Sequence, residues 1–533
     1  MKRNKMITPI KKDVISGFSV FLLALPLCLG ISTASNFPPV AGILSAIIGG
    51  MLASFFGGAK LSIKGPAAGL IVITVGAVEQ LGAGNLQLGY ERTLAVCAIA
   101  AILQIIIAWM KKASLAEILP PSVIHGMLAA IGVIIISKQA YVMIGVTPHV
   151  SEPLELLFNF PFELSHLNPI LCIIGLLSLG IAVLFPFLKK ISFVPASIII
   201  LCLVIPLSLY LHLGIDHSYI FIGNTYSLGP SSLINIPHNF FKVICFPDFS
   251  GILNLTSLKY IIMYTLVGSI ESLLTVCAID SMVVQKTAPS NLNKDLFAVG
   301  IANLASALIG GLPMISEIVR SKANIDYGAL SEKSNFFHGL FMLIAVVIFP
   351  SVLNLIPLSA LAALLVFVGF RLASPHEFIH AYKIGPDQLF IFVSTFFMTL
   401  ATDLLIGVAF GIFLKLILHI LRGNSLNNLY NPLITAHKFK DHISIQVEGP
   451  LTFLSYLKLK KIIEKTEKET KTIVIDLSLT PYLDHTVLKK FQTLAHEFKG
   501  LKVTIKENQA LVPLYTHSLS TRKVKTKSPP KKV

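Results

Sequence analysis

The sequence predicts a polytopic α-helical membrane protein with fourteen spans, followed by a small cytoplasmic α/β domain. Of its 533 residues, 54% are hydrophobic and only 13% are charged, and the mean hydropathy is +0.77. A soluble protein of this length would carry about a quarter charged residues. Apolar runs recur along the chain up to Leu421, with short polar or basic loops between them. Beyond Leu421, strand-like segments alternate with helix-like ones.

The net charge of +16 raises the question of a nucleic-acid partner, and the distribution of that charge argues against one. Much of the excess lies in the first dozen residues, in short loops and in the tail from Arg522 to Lys532, as expected for cytoplasmic loops of a membrane protein. The six cysteines lie in or beside apolar runs, so we expect packing residues and no disulfide or zinc site. ATP-binding, dinucleotide and catalytic-triad motifs are not apparent, which favours an ion-driven carrier over a pump or an enzyme.

The first half of the membrane region is predicted to hold seven spans behind a basic cytoplasmic leader at residues 1–13. Spans four and six should end in the cytoplasm, and a lysine pair follows each of them, Lys111-Lys112 and Lys189-Lys190. The connection from Leu213 to Thr256 is predicted to lie outside. The predicted spans are 14–30, 40–56, 66–80, 93–110, 123–137, 169–188 and 194–211.

The second half repeats this count of seven, again with an interrupted third member. An odd number of spans turns the second copy over in the membrane, so residues 14–211 and 257–422 are predicted to form an inverted repeat. Together they make up a transport domain at residues 14–423. The predicted spans are 260–282, 296–309, a half-helix that follows Pro313, 337–352, 358–370, 389–401 and 404–421.

Two interrupted segments point to a binding site. Leu61 to Gly65 is predicted to be extended, and Pro66 to Gln80 a helix too short to cross a bilayer, with Pro66 as its first residue. Gly310 to Asn324 repeats the pattern of glycines and a proline before a short helix. Such half-helices place free N–H groups near the middle of the membrane, where they bind anions. The alternative for the first segment is an ordinary membrane helix with a glycine-rich start.

Glu271 is the clearest candidate for coupling-ion binding, because a charge inside a span is costly. Thr275 follows one turn later on the same face. A carboxylate and a hydroxyl at this spacing suit a sodium ion, and a buried carboxyl equally suits a proton. The structural alternative is a glutamate that pairs with a lysine or a backbone group to fix helix packing.

Arg320 lies in the second half-helix and offers positive charge and paired donors to an oxyanion, unless it serves only membrane topology. Glu317 at i,i+3 spacing would weaken Arg320 as a free ligand. Ser316 is either an N-terminal cap or a substrate contact. For Lys64 we favour snorkelling to the cytoplasmic interface over contact with the anion.

The region after span twelve contains His376 and His380, for which we favour an interfacial helix over a metal site. A polar linker is then predicted at residues 424–439, the α/β domain at 440–516 and a basic disordered tail at 517–533. The domain's predicted strands are 442–447, 472–477 and 502–505, and its predicted helices are 452–466 and 484–498.

Five motifs together indicate a family: DVISGFSVFLLALPLCLGIS, KGPAAGL, ESLLT, GGLP…SEIVRSKAN and SNFFHG. On these motifs the chain resembles the SulP family of anion transporters over residues 13–516. The resemblance implies fourteen spans in two inverted repeats, a core of spans 1–4 and 8–11, and a gate of the others. It further implies a homodimer in the cell membrane, an elevator-like movement, and an anion held between the starts of spans three and ten. The implied substrate contacts are Ala67, Ala68, Gly69, Ile315, Ser316, Glu317 and Arg320.

The motifs also depart from the family pattern. Glu271 to Thr275 resembles the acid-Ser-Leu-Leu-Thr run that holds sodium in bicarbonate carriers of the family, with Glu in place of their Asp. Arg320 matches the arginine of the span-ten motif, but Val319 replaces the usual serine and Glu317 stands where a small residue is usual. Leu27 replaces the glutamine of many sulfate-type members, which favours bicarbonate.

The C-terminal domain resembles a STAS domain, on the stretch IDLSLTPYLDHT. Thr486 falls where related domains carry a phosphorylatable residue, which makes phosphoregulation a hypothesis and dimer support or a folding scaffold the alternatives. Leu479 replaces the glycine expected in this motif.

The leading interpretation is therefore a sodium- or proton-coupled importer of a small anion, with bicarbonate first and no cofactor beyond the coupling ion. The first alternative is a sulfate or dicarboxylate symporter on the same scaffold. The others are a STAS-based signalling or interaction module and an uncoupled anion channel.

Overall fold

The computed structural model of the chain is mainly helical, with a small α/β region at its C-terminal end. Most of the predicted leader lies outside the described residues. The described residues are 9–113, 119–147, 152–187, 195–237, 244–283, 290–402, 404–425, 427, 429, 431–439, 442–466, 470, 472–497 and 502–524.

The apolar runs form helices close to their predicted bounds, which confirms the polytopic helical class. Among the described residues, seven helices are long and apolar enough to cross a membrane, and five further apolar helices are shorter. The helices are α1 (Pro9–Ala34), α2 (Pro39–Phe56), α3 (Ile71–Gly82), α4 (Leu86–Trp109), α5 (Pro121–Met143), α6 (Pro153–Glu163), α7 (Pro169–Leu184), α8 (Ala196–Tyr210), α9 (Leu255–Met282), α10 (Leu292–Leu308), α11 (Ile318–Asp326), α12 (Lys333–Ile348), α13 (Pro350–Leu353), α14 (Leu358–Leu372), α15 (Pro375–Ile384), α16 (Pro386–Ala401), α17 (Leu404–Leu421), α18 (Tyr456–Thr466) and α19 (His485–Glu497).

Strands occur inside the helical region as well as in the C-terminal domain. β1 pairs with β4, although the two are about 250 residues apart in the chain, and β2 and β3 form a hairpin in the connection predicted to lie outside. The strands are β1 (Ile63–Pro66), β2 (His217–Phe221), β3 (Asn224–Leu228), β4 (Met314–Glu317), β5 (Leu433–Lys438), β6 (Ile443–Glu448), β7 (Thr472–Asp476), β8 (Tyr482–Leu483), β9 (Lys502–Lys506), β10 (Leu511–Pro513) and β11 (Arg522–Val524).

Contacts divide the chain into two compact units: residues 1–113, 131–279 and 290–373 form one, and residues 114–130, 280–289 and 374–533 form the other. In the first unit, helices approach closely where small residues meet. A Cβ added to Gly50 of α2 would lie 2.5 Å from the Cα atom of Gly339 in α12. Such crossings let backbones pack directly, which drives helix association in lipid. This packing surrounds the β1–β4 pair.

The C-terminal domain is built on a four-stranded sheet in the order β5-β6-β7-β9. β6, β7 and β9 are parallel, and side chains such as Ile445, Ile475 and Val487 form its core. The predicted α/β class is confirmed. Two details differ from prediction: β5 lies in the predicted linker, and β11 lies in the predicted disordered tail. β5 is mostly exposed, and β11 is a half-buried strand of three residues that begins with two basic ones, so neither sequence shows the apolar alternation that predicts a strand. The predicted domain boundaries stay predictions.

Candidate functional site

The two interrupted segments meet in an antiparallel strand pair. Ile63 lies opposite Glu317, and Pro66 lies opposite Met314. Each strand leads into a short helix, at residues 68–82 after β1 and at 318–326 after β4. The pair is four residues long. At a rise of about 3.3 Å per residue its two ends lie roughly 10 Å apart, and each end leads into one of the helices.

The predicted half-helix is confirmed in both segments, and the predicted extended stretch in the first, with a correction in each. In the second segment the helix does not follow Pro313 directly, because Met314–Glu317 forms β4 and the helix begins at Ile318. Pro66 is the last residue of β1 and not the first residue of the helix. Its carbonyl oxygen accepts a hydrogen bond of 3.5 Å from Nη2 of Arg320. The fixed φ of proline suits an edge strand, where no N–H group is needed.

The side chain of Arg320 lies against strand β1 of the pair. Its side chain is only 1% exposed, and Nη1 has no hydrogen-bond partner among the described residues. A Cβ added to Gly65 would lie 2.2 Å from Nη1, so only glycine allows the guanidinium to rest on β1. A buried donor without a partner is costly, and an oxyanion would satisfy it.

Glu271 lies against the first half-helix. A Cβ added to Gly69 would lie 2.1 Å from Oε1 of Glu271, so the carboxylate packs directly on the turn that opens this helix. Glu271 is 8% exposed, and Oε1 has no hydrogen-bond partner within the described part of the chain. Thr275 follows on the same helix, α9, and is also buried. The structural alternative is a glutamate paired with a lysine or a backbone group, and among the described residues neither donates a hydrogen bond to Oε1.

The remaining predicted contacts line the two helix starts. Ala67 and Ile315 are buried, and Ala68 begins the short 3₁₀ turn before α3. Ser316 is buried but engaged: its hydroxyl donates to Oδ2 of Asp295 at 3.0 Å, and its N–H donates to Ser272 at 3.1 Å. Its hydroxyl therefore neither caps α11 nor is free for a substrate.

Lys64 does not snorkel, so that prediction is wrong. Its side chain is buried, and Nζ lies 2.8 Å from Oδ1 of Asp295 on α10. Asp295 was missed because the predicted span nine began one residue after it, at Leu296. The signal available was an acid at the edge of an apolar run, which could balance a lysine in another span. Since Lys64 and Ser316 are opposite partners in the strand pair, one carboxylate holds both strands.

Thr486 is buried in the C-terminal domain and lies far along the chain from the strand pair. Its Oγ1 accepts a hydrogen bond of 2.7 Å from Nζ of Lys415 on α17, and the same ammonium lies 3.1 Å from Oδ2 of Asp484. Burial alone would raise the pKa of the Asp484 carboxyl, but the Lys415 ammonium outweighs it and holds that pKa below its usual range. This buried cluster encloses the hydroxyl that the phosphorylation hypothesis needs.

His376 and His380 lie on α15, with ring centroids 6.3 Å apart. No group of three or more metal-ligating side chains occurs within the described ranges. The predicted helix at this place is confirmed.

Comparisons with known proteins agree with this architecture. YvdB of Bacillus subtilis, whose name provisionally assigns it sulfate transport, is 27% identical over 89% of this chain and 86% of its own. The bicarbonate transporter BicA of Picosynechococcus is 24% identical over 79% of this chain and 72% of its own.

Solved structures show the same fold. The transmembrane domain of a cyanobacterial BicA superposes with a TM-score of 0.63 at 23% identity, and covers 75% of this chain and 98% of that chain. The murine anion transporter Slc26a9 in its inward-facing state gives a TM-score of 0.68 at 17% identity, over 95% of this chain and 86% of that chain. A sequence profile of the Sulfate permease family matches residues 10–395. The chain therefore belongs to the sulfate permease family.

Proposed function

We propose that this chain is a secondary active transporter of a small inorganic anion, with bicarbonate carried by Na⁺-coupled symport. The observation that supports this best is the β1–β4 pair, which brings together two half-helix starts and Nη1 of Arg320, an atom without a hydrogen-bond partner among the described residues. Free N–H groups and the positive end of the helix dipole favour anions, and the guanidinium adds a fixed positive charge. Relatives named as bicarbonate and sulfate transporters support the same class of cargo.

Coupling follows from the position of Glu271. Its carboxylate packs on Gly69, in the same helix start that would hold the anion. At about 5 Å and an effective dielectric constant of about 20, two like charges repel by roughly 3 kcal/mol. A sodium ion held by Glu271 and Thr275 would remove that repulsion. Cation and anion would then bind together, which is the requirement for symport.

The wider proposal follows the family resemblance. The protein would work as a homodimer in the cell membrane, with its N-terminus and C-terminal domain in the cytoplasm. The β1–β4 pair would travel with a mobile core in an elevator-like movement. The C-terminal domain would act as a STAS domain, with Thr486 as its candidate regulatory residue.

A second candidate is proton-coupled transport of sulfate or a dicarboxylate. The observation that favours it is the second acid, Glu317, which lies within electrostatic reach of Glu271. Two carboxylates in one buried site readily share a proton. Protonation would neutralise Glu271 as sodium does.

The test is uptake of labelled bicarbonate, sulfate and fumarate into proteoliposomes, with and without an inward sodium gradient, for the wild type and Glu271→Gln. Bicarbonate uptake that requires sodium and is lost in Glu271→Gln would support the leading proposal. Sulfate or fumarate uptake driven by a pH gradient, with bicarbonate ignored, would replace it with the second candidate. No uptake of any of the three anions would contradict both.

A further inference from the structure

Helix α12 begins with polar side chains that the site described above does not use. They belong to the motif SNFFHG at residues 334–339. Ser334 accepts a hydrogen bond of 2.9 Å from the side-chain amide of Asn324 on α11. Asn335 accepts one of 3.1 Å from the backbone N–H of Lys64 on β1. This face of α12 is therefore directed at β1 and at the second half-helix.

His338 lies on the same face, one turn further along α12. Residues three and four apart are neighbours on a helix surface, so its side chain projects between the directions of Ser334 and Asn335. The side chain is 0% exposed, and neither Nδ1 nor Nε2 has a hydrogen-bond partner within the described ranges. An imidazole carries at least one N–H group in either charge state, and a buried donor without a partner is costly. A ligand that supplies the missing partner would remove this cost.

The packing of α2 places His338 beside the part of β1 that holds Arg320. The close crossing of α2 and α12 described above lies next to His338. In the same turn of α2, a Cβ added to Gly49 would lie 3.1 Å from the carbonyl carbon of Lys64. The next residue of β1 is Gly65, on which the guanidinium of Arg320 rests. Two buried groups with unused donors in the described part of the chain, Nη1 of Arg320 and the ring of His338, thus lie at one level of β1.

We propose that His338 is a further ligand of the transported anion, to which it donates a ring N–H while Arg320 binds the same anion from β1. The inference rests on the proposed function and deepens it, because it adds a donor from α12 to a site otherwise built from the strand pair and its half-helices. Arg320 supplies positive charge, and the ring supplies a donor whose direction is fixed by close packing around it.

The test measures KM and maximal rate for labelled bicarbonate and sulfate uptake in proteoliposomes, for the wild type, His338→Leu and His338→Gln. Loss of one hydrogen bond to a charged ligand should raise KM for the carried anion about tenfold or more in His338→Leu. His338→Gln keeps an N–H donor and should stay within about threefold of the wild type. The matched control is His376→Leu, which removes an exposed histidine on α15 and should leave KM unchanged.

An unchanged KM in His338→Leu overturns the inference. A KM that rises equally in His338→Leu and His338→Gln also overturns it, because the amide keeps the donor and only the shape of the ring is lost. Such a result would assign His338 to packing.

A second measurement keeps the inference separate from the transport proposal. Thermal unfolding of the purified, detergent-solubilised chain is followed as bicarbonate or sulfate is added. Leucine leaves no buried polar atom at this position, so His338→Leu should melt at or above the wild-type temperature without anion, while its half-saturating anion concentration rises about tenfold. Absence of uptake in the wild type contradicts the proposed function, whereas this weaker anion binding in the same preparation would still support the ligand role. A wild type that is stabilised by neither anion overturns the inference.

Discussion

Substitution of Gly69 by alanine tests the proposed coupling site most directly. The added Cβ would lie 2.1 Å from Oε1, 2.5 Å from Oε2 and 2.6 Å from the carboxyl carbon of Glu271. Ordinary contact begins at 3.4 Å, so the carboxylate would have to retreat by about 1.3 Å. A misplacement of about 1 Å at a functional group can cost roughly 100-fold in activity. We therefore expect the half-saturating sodium concentration for anion uptake to rise by roughly 10- to 100-fold.

Folding should survive this change, because the displaced group is the end of a flexible side chain and not backbone. The assay is initial uptake of labelled bicarbonate in proteoliposomes across a series of sodium concentrations, with thermal unfolding of the purified protein as the folding check. Gly180→Ala is the control, since no atom lies within 4 Å of a Cβ added there. A Gly69→Ala protein with the sodium dependence of the wild type would refute the placement of Glu271 in the coupling site.

Three further predictions follow from the buried charges. Arg320→Lys should raise KM for the anion at least about tenfold in the uptake assay, because an ammonium cannot reproduce the guanidinium fork; an unchanged KM would remove Arg320 from the site. Asp484→Asn should lower the free energy of unfolding by about 3–5 kcal/mol, because it leaves the Lys415 ammonium buried without its ion-pair partner. In a thermal melt, the double variant Lys415→Met, Asp484→Leu should recover most of this loss. An unaltered melting temperature in Asp484→Asn would contradict the reasoning. Burial, assisted by Lys415, lowers the pKa of His485 to about 4. The folded chain thus favours the neutral ring. The contribution of the neutral His485 to the free energy of unfolding is therefore present above pH 6.5 and is lost as pH falls from there toward 4. The difference between the melting temperatures at pH 7.5 and pH 4.5 should therefore be smaller in His485→Gln than in the wild type. An equal difference in both proteins would exclude this histidine as the source of the loss of stability in acid.

Much of the helical architecture could be predicted, because each apolar run must match the thickness of a bilayer. The predicted span 404–421 agrees with α17 at both ends, and the predicted span 40–56 differs from α2 by one residue. The half-helices could be predicted for a related reason: their apolar runs are too short to cross, and glycine and proline mark where they begin. Local composition carries both signals.

Pairings between distant residues could not be predicted in this way. Lys64 and Asp295 lie 231 positions apart, and nothing local in either segment shows that one neutralises the other. Ser316 likewise gave no sign that its hydroxyl binds a carboxylate from α10. Strand β5 was missed because an exposed edge strand has no apolar alternation to detect. The strongest sequence evidence thus came from elements defined by their own length, and the weakest from contacts defined by three-dimensional proximity.

The buried cluster on α17 bears on how truncated versions of this protein should be interpreted. Lys415, His419 and Arg422 each find a partner in the C-terminal domain, through Asp484 and Tyr482. A chain cut after residue 423 would leave the Lys415 ammonium and the His419 imidazole without these partners on an apolar helix, whereas Arg422 would keep its ion pair of 2.9 Å with Asp387 on α16. Lost transport in such a truncation would then reflect damage to the last helix and could not be credited to a lost signalling role. Shortened proteins therefore need neutral replacements at these positions, Lys415→Met first, before their activity is compared with that of the whole chain.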